Sequence, residues 1–437
     1  MHHFQQKNGE LHAEDVPLSR IAAEVGTPTY VYSRATLVRH YRVMDQALAQ
    51  APHTICYAVK ACSNLAVLQL LASLGSGFDI VSLGELRRAL LAGADPQRIV
   101  FSGVGKRDDE IAEALQAGIL CLNVESVGEL ARIERVAQAL GVRAPISLRV
   151  NPEVDARTHK YIATGLRTSK FGVAMADALP LYRRAAVSEH LRVVGIDSHI
   201  GSQILEVAPL IEAVEKVVQL VDQLKAEGIS LAHLDVGGGL GIAYRDEEPA
   251  PPAELGAAMT ALANSRGLHL LVEPGRVIAG NAGLLLTRVL GKKSNHDKHF
   301  VIVDAAMNDN IRPALYGAWH GVVPVVEHEE RPRLPVDIVG PVCESGDFLA
   351  QDRELGALEP GELLAVLGSG AYGFSMASNY NSRQRPAEVL VHGASFTVVR
   401  AREPLEDLWR GEQLLDAATL DVSELPCPGQ ETAQELG

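Results

Sequence analysis

The chain has 437 residues, 47% of them hydrophobic and 22% charged, with a formal charge of −14. That length exceeds what one hydrophobic core usually serves, so two domains are expected, and the composition excludes a disordered or fibrous chain. The acidic balance opposes nucleic-acid binding, no apolar run reaches the roughly 18 residues that span a bilayer, and the opening MHHFQQKNGE lacks the features of a secretory signal. A cytoplasmic protein with no membrane partner is expected.

TYVYS (29–33) reads as a strand and residues 34–49 as a helix. Eight short β-branched runs then alternate with helical patterns: TICYAVK (54–60), FDIVS (78–82), IVFSG (99–103), LCLNVE (120–125), ISLRVN (146–151), VVGIDSH (193–199), LAHLDVGG (231–238) and LHLLVE (268–273). Ser82 with Glu85 and Ser126 with Glu129 form capping-box spacings, while Gly75, Gly93, Gly118 and Gly141 stand where helices should stop. Around 209–227, Leu210, Val214, Val217, Val218, Val221 and Leu224 fall on one helical stripe. Eight strand-then-helix units predict an α/β fold, a TIM barrel over residues 34–278. A doubly wound open sheet is the competing reading.

After about residue 278 the period changes. The runs LLLTRVLG, HFVIVDA, LPVDIVG, ELLAVLGS, EVLVHG and FTVVRA are separated by turn residues. They predict a separate C-terminal β domain, residues 279–421, which takes in 1–33 as well. Residues from 422 onward, rich in Glu, Gln and Pro, read as a disordered tail.

Five cysteines, Cys56, Cys62, Cys121, Cys343 and Cys427, form no CxxC pair and no metal-ligand spacing, so no metal is expected. Cys56 and Cys121 fall in apolar strands, as buried reduced thiols do. Polar residues unsuited to a core end several of the eight runs: Lys60, Asp79, Asn151, His199, Gly237 to Gly239, and Glu273. In a barrel that edge is the catalytic face.

Burial lowers the pKa of a lysine, as carbonyl-condensing chemistry requires, although a snorkelling surface lysine also suits a strand end. DVGGGLG (235–241) follows the seventh strand, where consecutive glycines let backbone N–H groups approach an anion, and a tight turn is the plain alternative. EPGR (273–276) ends the eighth with a carboxylate and a guanidinium, which also suits an ion pair between Glu273 and Arg276. If Lys60 carries pyridoxal phosphate, Glu273 gains a specific role, holding a proton on the pyridine nitrogen so that the ring accepts electrons. His199 then suits stacking on the ring, or equally a structural hydrogen bond. Arg312 and Tyr316, four apart and opened by Pro313, suit one face of a short helix.

YAVKA, FDIVSLGEL, NPEVDARTHKYIATGLRTSKFG, DSHIGSQ, DVGGGLG, EPGR, DAAMNDNIRPALYGAWH, CESGD and GAYGFSMASNYNSRQRPAEVLV together resemble the diaminopimelate decarboxylase family, within the alanine-racemase-like class of pyridoxal-phosphate enzymes. The match runs in order from about residue 17 to 410. Departures are Cys62 for a usual Asn, and Leu83 and Ala306 for usual glycines.

The resemblance implies pyridoxal 5'-phosphate bound covalently by Lys60, with Asp79, His199, Ser202, Gly237, Gly238, Gly239, Glu273, Gly275, Arg276 and Tyr372 around it. It implies Arg276, Arg312, Tyr316, Glu344 and Tyr372 around substrate, and Cys343 as a proton donor delivered by the partner of a homodimer with shared active sites. Cys343 stands beside Glu344 and near Asp347, whose charges favour a protonated thiol. The expected reaction is meso-diaminopimelate to L-lysine and carbon dioxide, the last step of lysine biosynthesis. Arginine in the distal pocket disfavours ornithine, lysine and arginine, which carry a cation and no carboxylate there. A racemase is the rival of another class, but racemases of this kind place a cation where Glu273 stands. A carboxynorspermidine-type decarboxylase is the nearer alternative, separated by the distal arginines.

Overall fold

One buried strand and one capped helix carry the chain from a β-sheet region into a barrel. The structure, a computed structural model, describes residues 2–155, 169–328 and 330–420. Thr29–Ser33 is buried throughout, and Ser33 Oγ accepts the Thr36 amide to start the helix Arg34–Leu48.

Eight strands follow: His53–Ala58, Gly77–Ile80, Ile99–Phe101, Cys121–Val124, Ala144–Asn151, Leu191–Asp197, His233–Asp235 and His269–Val272. Each pairs in parallel with the next, and the last pairs with the first, Leu270 opposite His53. The sheet is therefore a closed barrel, and the open-sheet alternative falls. Both faces of such strands are covered, by the lumen and by the outer helices, which is why they read as near-continuous apolar runs.

Ser82 and Ser126 cap their helices by accepting the Glu85 and Glu129 amides. Each glutamate reaches back to the residue before the cap, Val81 or Glu125, rather than to the cap's own amide. Gly118 and Gly141 stop their helices in the left-handed region, with φ of 73° and 67°. The helix Ala208–Ala226 buries the predicted stripe of Leu210, Val214, Val217, Val218, Val221 and Leu224.

The second region is built on Gly283–Asn295, a strand of 13 residues. It pairs antiparallel with Thr29–Ser33, Lys298–Val303 and Leu363–Val366. Ala387–His392 lies parallel to Thr29–Ser33 and antiparallel to Ser395–Arg400, so the N-terminal strand is stitched into the sheet as expected. Arg333–Val339 and Phe348–Gly356 extend the far edge. Phe348–Gly356 and Val322–Pro324 escape the pattern reading, the first because FLAQDRELG turns charged half-way, the second because it is only three residues long.

After Leu363–Val366 the chain turns toward the barrel mouth. Gly370 packs so tightly that a Cβ there would meet Ala279 O at 2.0 Å, and Tyr372 N–H then donates to Ala61 O at 2.8 Å. Sheet region and barrel mouth are thereby joined beside Lys60.

Among the described residues no helix is long and apolar enough to cross a membrane. The predicted tail, Cys427 and residues 156–168 of the NPEVDARTHKYIATGLRTSKFG run lie outside the described residues.

Candidate active site

The strand predicted to reach Lys60 stops at Ala58, and Lys60 stands in the single turn Val59–Ala61 just above it. Its ammonium pairs with Asp79, on the second strand. The Lys60 side chain is 39% exposed toward the cavity, while that of Asp79 is fully buried. Burial pushes the Lys60 pKa down, but the charges of Asp79 and then Glu273 outweigh it and hold the ammonium above the ordinary lysine value. This corrects the expected depression. Sequence shows the apolar strand under Lys60 but not the carboxylate facing it.

Four strands place acids under that lysine. Asp79 lies in the second strand, Asp197 and Asp235 end the sixth and seventh, and Glu273 follows the eighth. Asp197, Asp235 and Glu273 have oxygen atoms within 4.8 Å of one another. Burial, and then the neighbouring carboxylates, raise Glu273 and Asp197 well above the carboxylate range and Asp235 to about 7. Arg149 supplies the opposing charge, 2.9 Å from Glu125 and 3.9 Å from Asp197. Glu273 Oε1 accepts from Ser102 Oγ at 3.2 Å. Among the described residues Glu273 and Arg276 form no ion pair, so the plain structural reading of EPGR does not apply.

The opposite wall is cationic and aromatic. Arg276 Nη1 donates to Tyr244 Oη at 2.6 Å, and its guanidinium lies 4.8 Å from the Tyr372 ring centre. Arg312 opens the short helix Arg312–Tyr316, with Pro313 in its first turn as expected, and its guanidinium lies 5.0 Å from the Tyr244 ring centre. Burial lowers the Arg312 pKa, and Arg276 adds to the lowering. Between the two walls is a cavity of about 560 Å³ bordered by Lys60, His199, Ser202, Glu273, Arg276, Arg312, Tyr316 and Tyr372. A narrower recess below reaches Gly237, Gly238, Gly239 and Gly275.

His199 borders both spaces, and its Nδ1 accepts the Gly238 amide at 3.1 Å. Burial, then Arg149 and Lys60, press its pKa well down, so the ring is neutral. Cys343 and Glu344 are not among the residues bordering this cavity. They sit on an exposed turn, with Cys343 N–H donating to Asn381 Oδ1 at 2.8 Å and Tyr380 Oη to Glu344 at 2.7 Å. Asp347, beside them in sequence, turns inward and accepts the Met307 and Val342 amides. Asn151 accepts the Glu153 amide.

The pattern reading missed Tyr244, Arg149, Asp197, Asp235 and Ser102. An arginine inside ISLRVN and the aspartates inside GIDSH and HLDVGG were signals of the same kind as Lys60. Tyr244 had none, because an aromatic after a glycine-rich loop is ordinary.

A closed parallel barrel with a lysine at its mouth, an acid across from it and a sheet region lending a tyrosine defines the pyridoxal-phosphate decarboxylase class. Residues 34–280 match the family described as "Pyridoxal-dependent decarboxylase, pyridoxal binding domain". The chain is 56% identical over 412 residues to diaminopimelate decarboxylase of Pseudomonas aeruginosa, covering 94% of this chain and 99% of that one. With that of Vibrio cholerae it shares 56% over 411 residues, covering 94% and 98%. The crystal structure of diaminopimelate decarboxylase from Helicobacter pylori complexed with L-lysine superposes with a TM-score of 0.87 at 46% identity, covering 90% of this chain and 98% of that one. The chain belongs to the diaminopimelate decarboxylase family, and its cofactor is pyridoxal phosphate.

The residues present fit that group. Lys60 faces the cavity, and Asp79 Oδ1 is buried without a partner. No side chain fits at positions 238 and 239, since a Cβ on Gly238 would meet Glu273 O at 2.2 Å and one on Gly239 would meet Gly201 O at 2.5 Å. Backbone alone therefore lines this part of the recess, as close approach to a phosphate requires. Glu273, holding its proton among other acids, suits a basic ring nitrogen.

Proposed function

We propose that this chain decarboxylates meso-diaminopimelate to L-lysine and carbon dioxide, the last step of lysine biosynthesis. The observation that carries the choice of substrate is the pair Arg276 and Arg312. Both are buried on one cavity wall, each has an unpartnered Nε, and among the described residues neither has a carboxylate in ion-pair reach. A buried cation without an anion is costly, so the wall is completed by a substrate carboxylate. A substrate bearing only a distal ammonium, such as ornithine, would be repelled there.

In this reading residues 34–278 form the cofactor-binding barrel, and 1–33 with 279–421 the β domain. Lys60 is the covalent anchor, Gly237 to Gly239, Ser202, Gly275 and Tyr372 hold the phosphate end, His199 covers one face of the ring, and Asp79 steadies Lys60. Glu273 keeps a proton at the ring nitrogen. Bound pyridoxal phosphate supplies the electron sink for the pair left when the bond to the departing carboxylate breaks. Arg276, Arg312 and Tyr316 hold the carboxylate that stays, Glu344 takes the distal ammonium, and Cys343 Sγ gives its proton to the α-carbon.

Cys343 and Glu344 lie away from the cavity of their own chain, so the reading is of a homodimer in which each protomer completes its partner's site. The enzyme is read as cytoplasmic. Purified protein with pyridoxal phosphate should release carbon dioxide from meso-diaminopimelate with lysine as product. Faster release from ornithine would end the substrate reading.

A further inference from the structure

The two guanidiniums on the cavity wall carry like charges and are both buried, yet they share that wall. What lies between them is Tyr244. Its ring centre is 5.9 Å from the Arg276 guanidinium carbon and 5.0 Å from that of Arg312, and its hydroxyl oxygen accepts Arg276 Nη1 at 2.6 Å. The Tyr244 hydroxyl holds Arg276, the electron-rich ring attracts Arg312, and the bulk of the ring separates the two cations.

Tyr244 is itself held from three sides. Its amide donates to Glu247 Oε2 at 2.9 Å, as does that of Arg245 at 2.7 Å, which closes the loop. The carbonyl of the residue before it, Ala243, accepts Asn281 Nδ2 at 3.4 Å. Behind the ring His320 packs at 5.4 Å and 76°, fully buried. His320 Nδ1 is 2.9 Å from Leu367 O and so carries its proton, while Nε2 is buried and unpartnered. Burial and then Arg312 push its pKa down to about 3, so a neutral ring backs Tyr244 and adds no third charge.

We infer that Tyr244 is a positioning residue that fixes the spacing and rotation of Arg276 and Arg312, and thereby selects substrates whose retained end carries a carboxylate. The inference rests on the reading of Arg276 and Arg312 as carboxylate binders. Nothing in it concerns the bond-breaking step, so its signature belongs in binding and not in turnover.

The experiment uses the holoenzyme with Tyr244→Phe, which keeps the ring and loses the hydroxyl, and Tyr244→Leu, which loses both. Probes are meso-diaminopimelate as substrate and pimelate, the same chain without amines, as competitive inhibitor. Removing one charge-assisted hydrogen bond should raise KM and the pimelate Ki together by about tenfold in Tyr244→Phe, with kcat within about twofold. Tyr244→Leu should lose more on both, and its preference for meso-diaminopimelate over ornithine should shrink. In an Arg276→Lys background Tyr244→Phe should add almost nothing, because the bond it removes is already gone. The cofactor's visible absorbance should be unchanged in Tyr244→Phe and Tyr244→Leu.

Unchanged KM and Ki in Tyr244→Phe, a fall in kcat alone, or full additivity with Arg276→Lys would overturn the inference. So would pimelate failing to compete in the unaltered enzyme. A wild type that releases no carbon dioxide from meso-diaminopimelate would instead defeat the proposed function, while direct pimelate binding to wild type and Tyr244→Phe would still decide the role of Tyr244.

Discussion

The two walls of the cavity are built on opposite plans. The floor, with Asp79, Asp197, Asp235 and Glu273, comes from one closed sheet, from its adjacent sixth, seventh and eighth strands and, beyond the first, its second. The facing wall, with Tyr244, Arg276, Arg312 and Tyr372, comes from a loop, two short helices and a turn on both sides of the boundary between barrel and β region. The floor crowds like charges that share protons, whereas the wall spaces like charges with aromatic rings. In the proposed reading, one stores protons for chemistry at a ring, and the other keeps permanent cations apart for recognition.

The largest effect should fall on the lysine over the floor. Lys60→Ala should lose turnover by on the order of 10³-fold or more, and borohydride should leave no cofactor bound to the chain. Mixing Lys60→Ala with Cys343→Ala chains should then restore activity to about a quarter of the wild-type value, because half of the dimers are mixed and each has one intact site. Absence of any recovery on exchange would show that Cys343 serves its own chain.

On the wall, Arg312→Ala should raise KM for meso-diaminopimelate by about ten- to a hundredfold, the equivalent of one charged contact, with a smaller change in kcat. A loss confined to kcat would move Arg312 from recognition to chemistry and blur the contrast between the walls.

The smallest effect concerns stability of the cofactor-free protein. Asp235 titrates near 7 when folded, against 3.8 for the ordinary group. Between those values the folded state binds the proton and the unfolded state does not, so this group's contribution is present below pH 3.8 and is lost as pH rises through about 7. Asp235→Asn keeps an oxygen for the Gly237 amide and removes the titration. Its melting temperature relative to wild type should therefore rise between about pH 5 and about pH 8. A difference that stays flat with pH would show that the floor does not hold its protons.

Much of the floor was legible from residue type alone. A lysine or glutamate just past the end of an apolar strand is conspicuous because burial is costly, and the barrel's alternation places such residues at one rim. Asp197 and Asp235 obey the same rule but stand inside their strings, where the residues that follow draw the eye first. The wall was less accessible. Arg312 and Tyr316 were paired through helical spacing, yet nothing local to GLGIAY foretells that Tyr244 stands between two arginines that both come later in the chain.

By itself the sequence determined the closed barrel, the strand threaded into the second sheet, the caps and the rim residues, because each depends on short-range periodicity and on the cost of burying charge. Only the tertiary structure decided the raised pKa of Lys60, the separation of Glu273 from Arg276 and the ring between the two arginines. Electrostatic interactions depend on distance through space, and sequence separation does not give that distance.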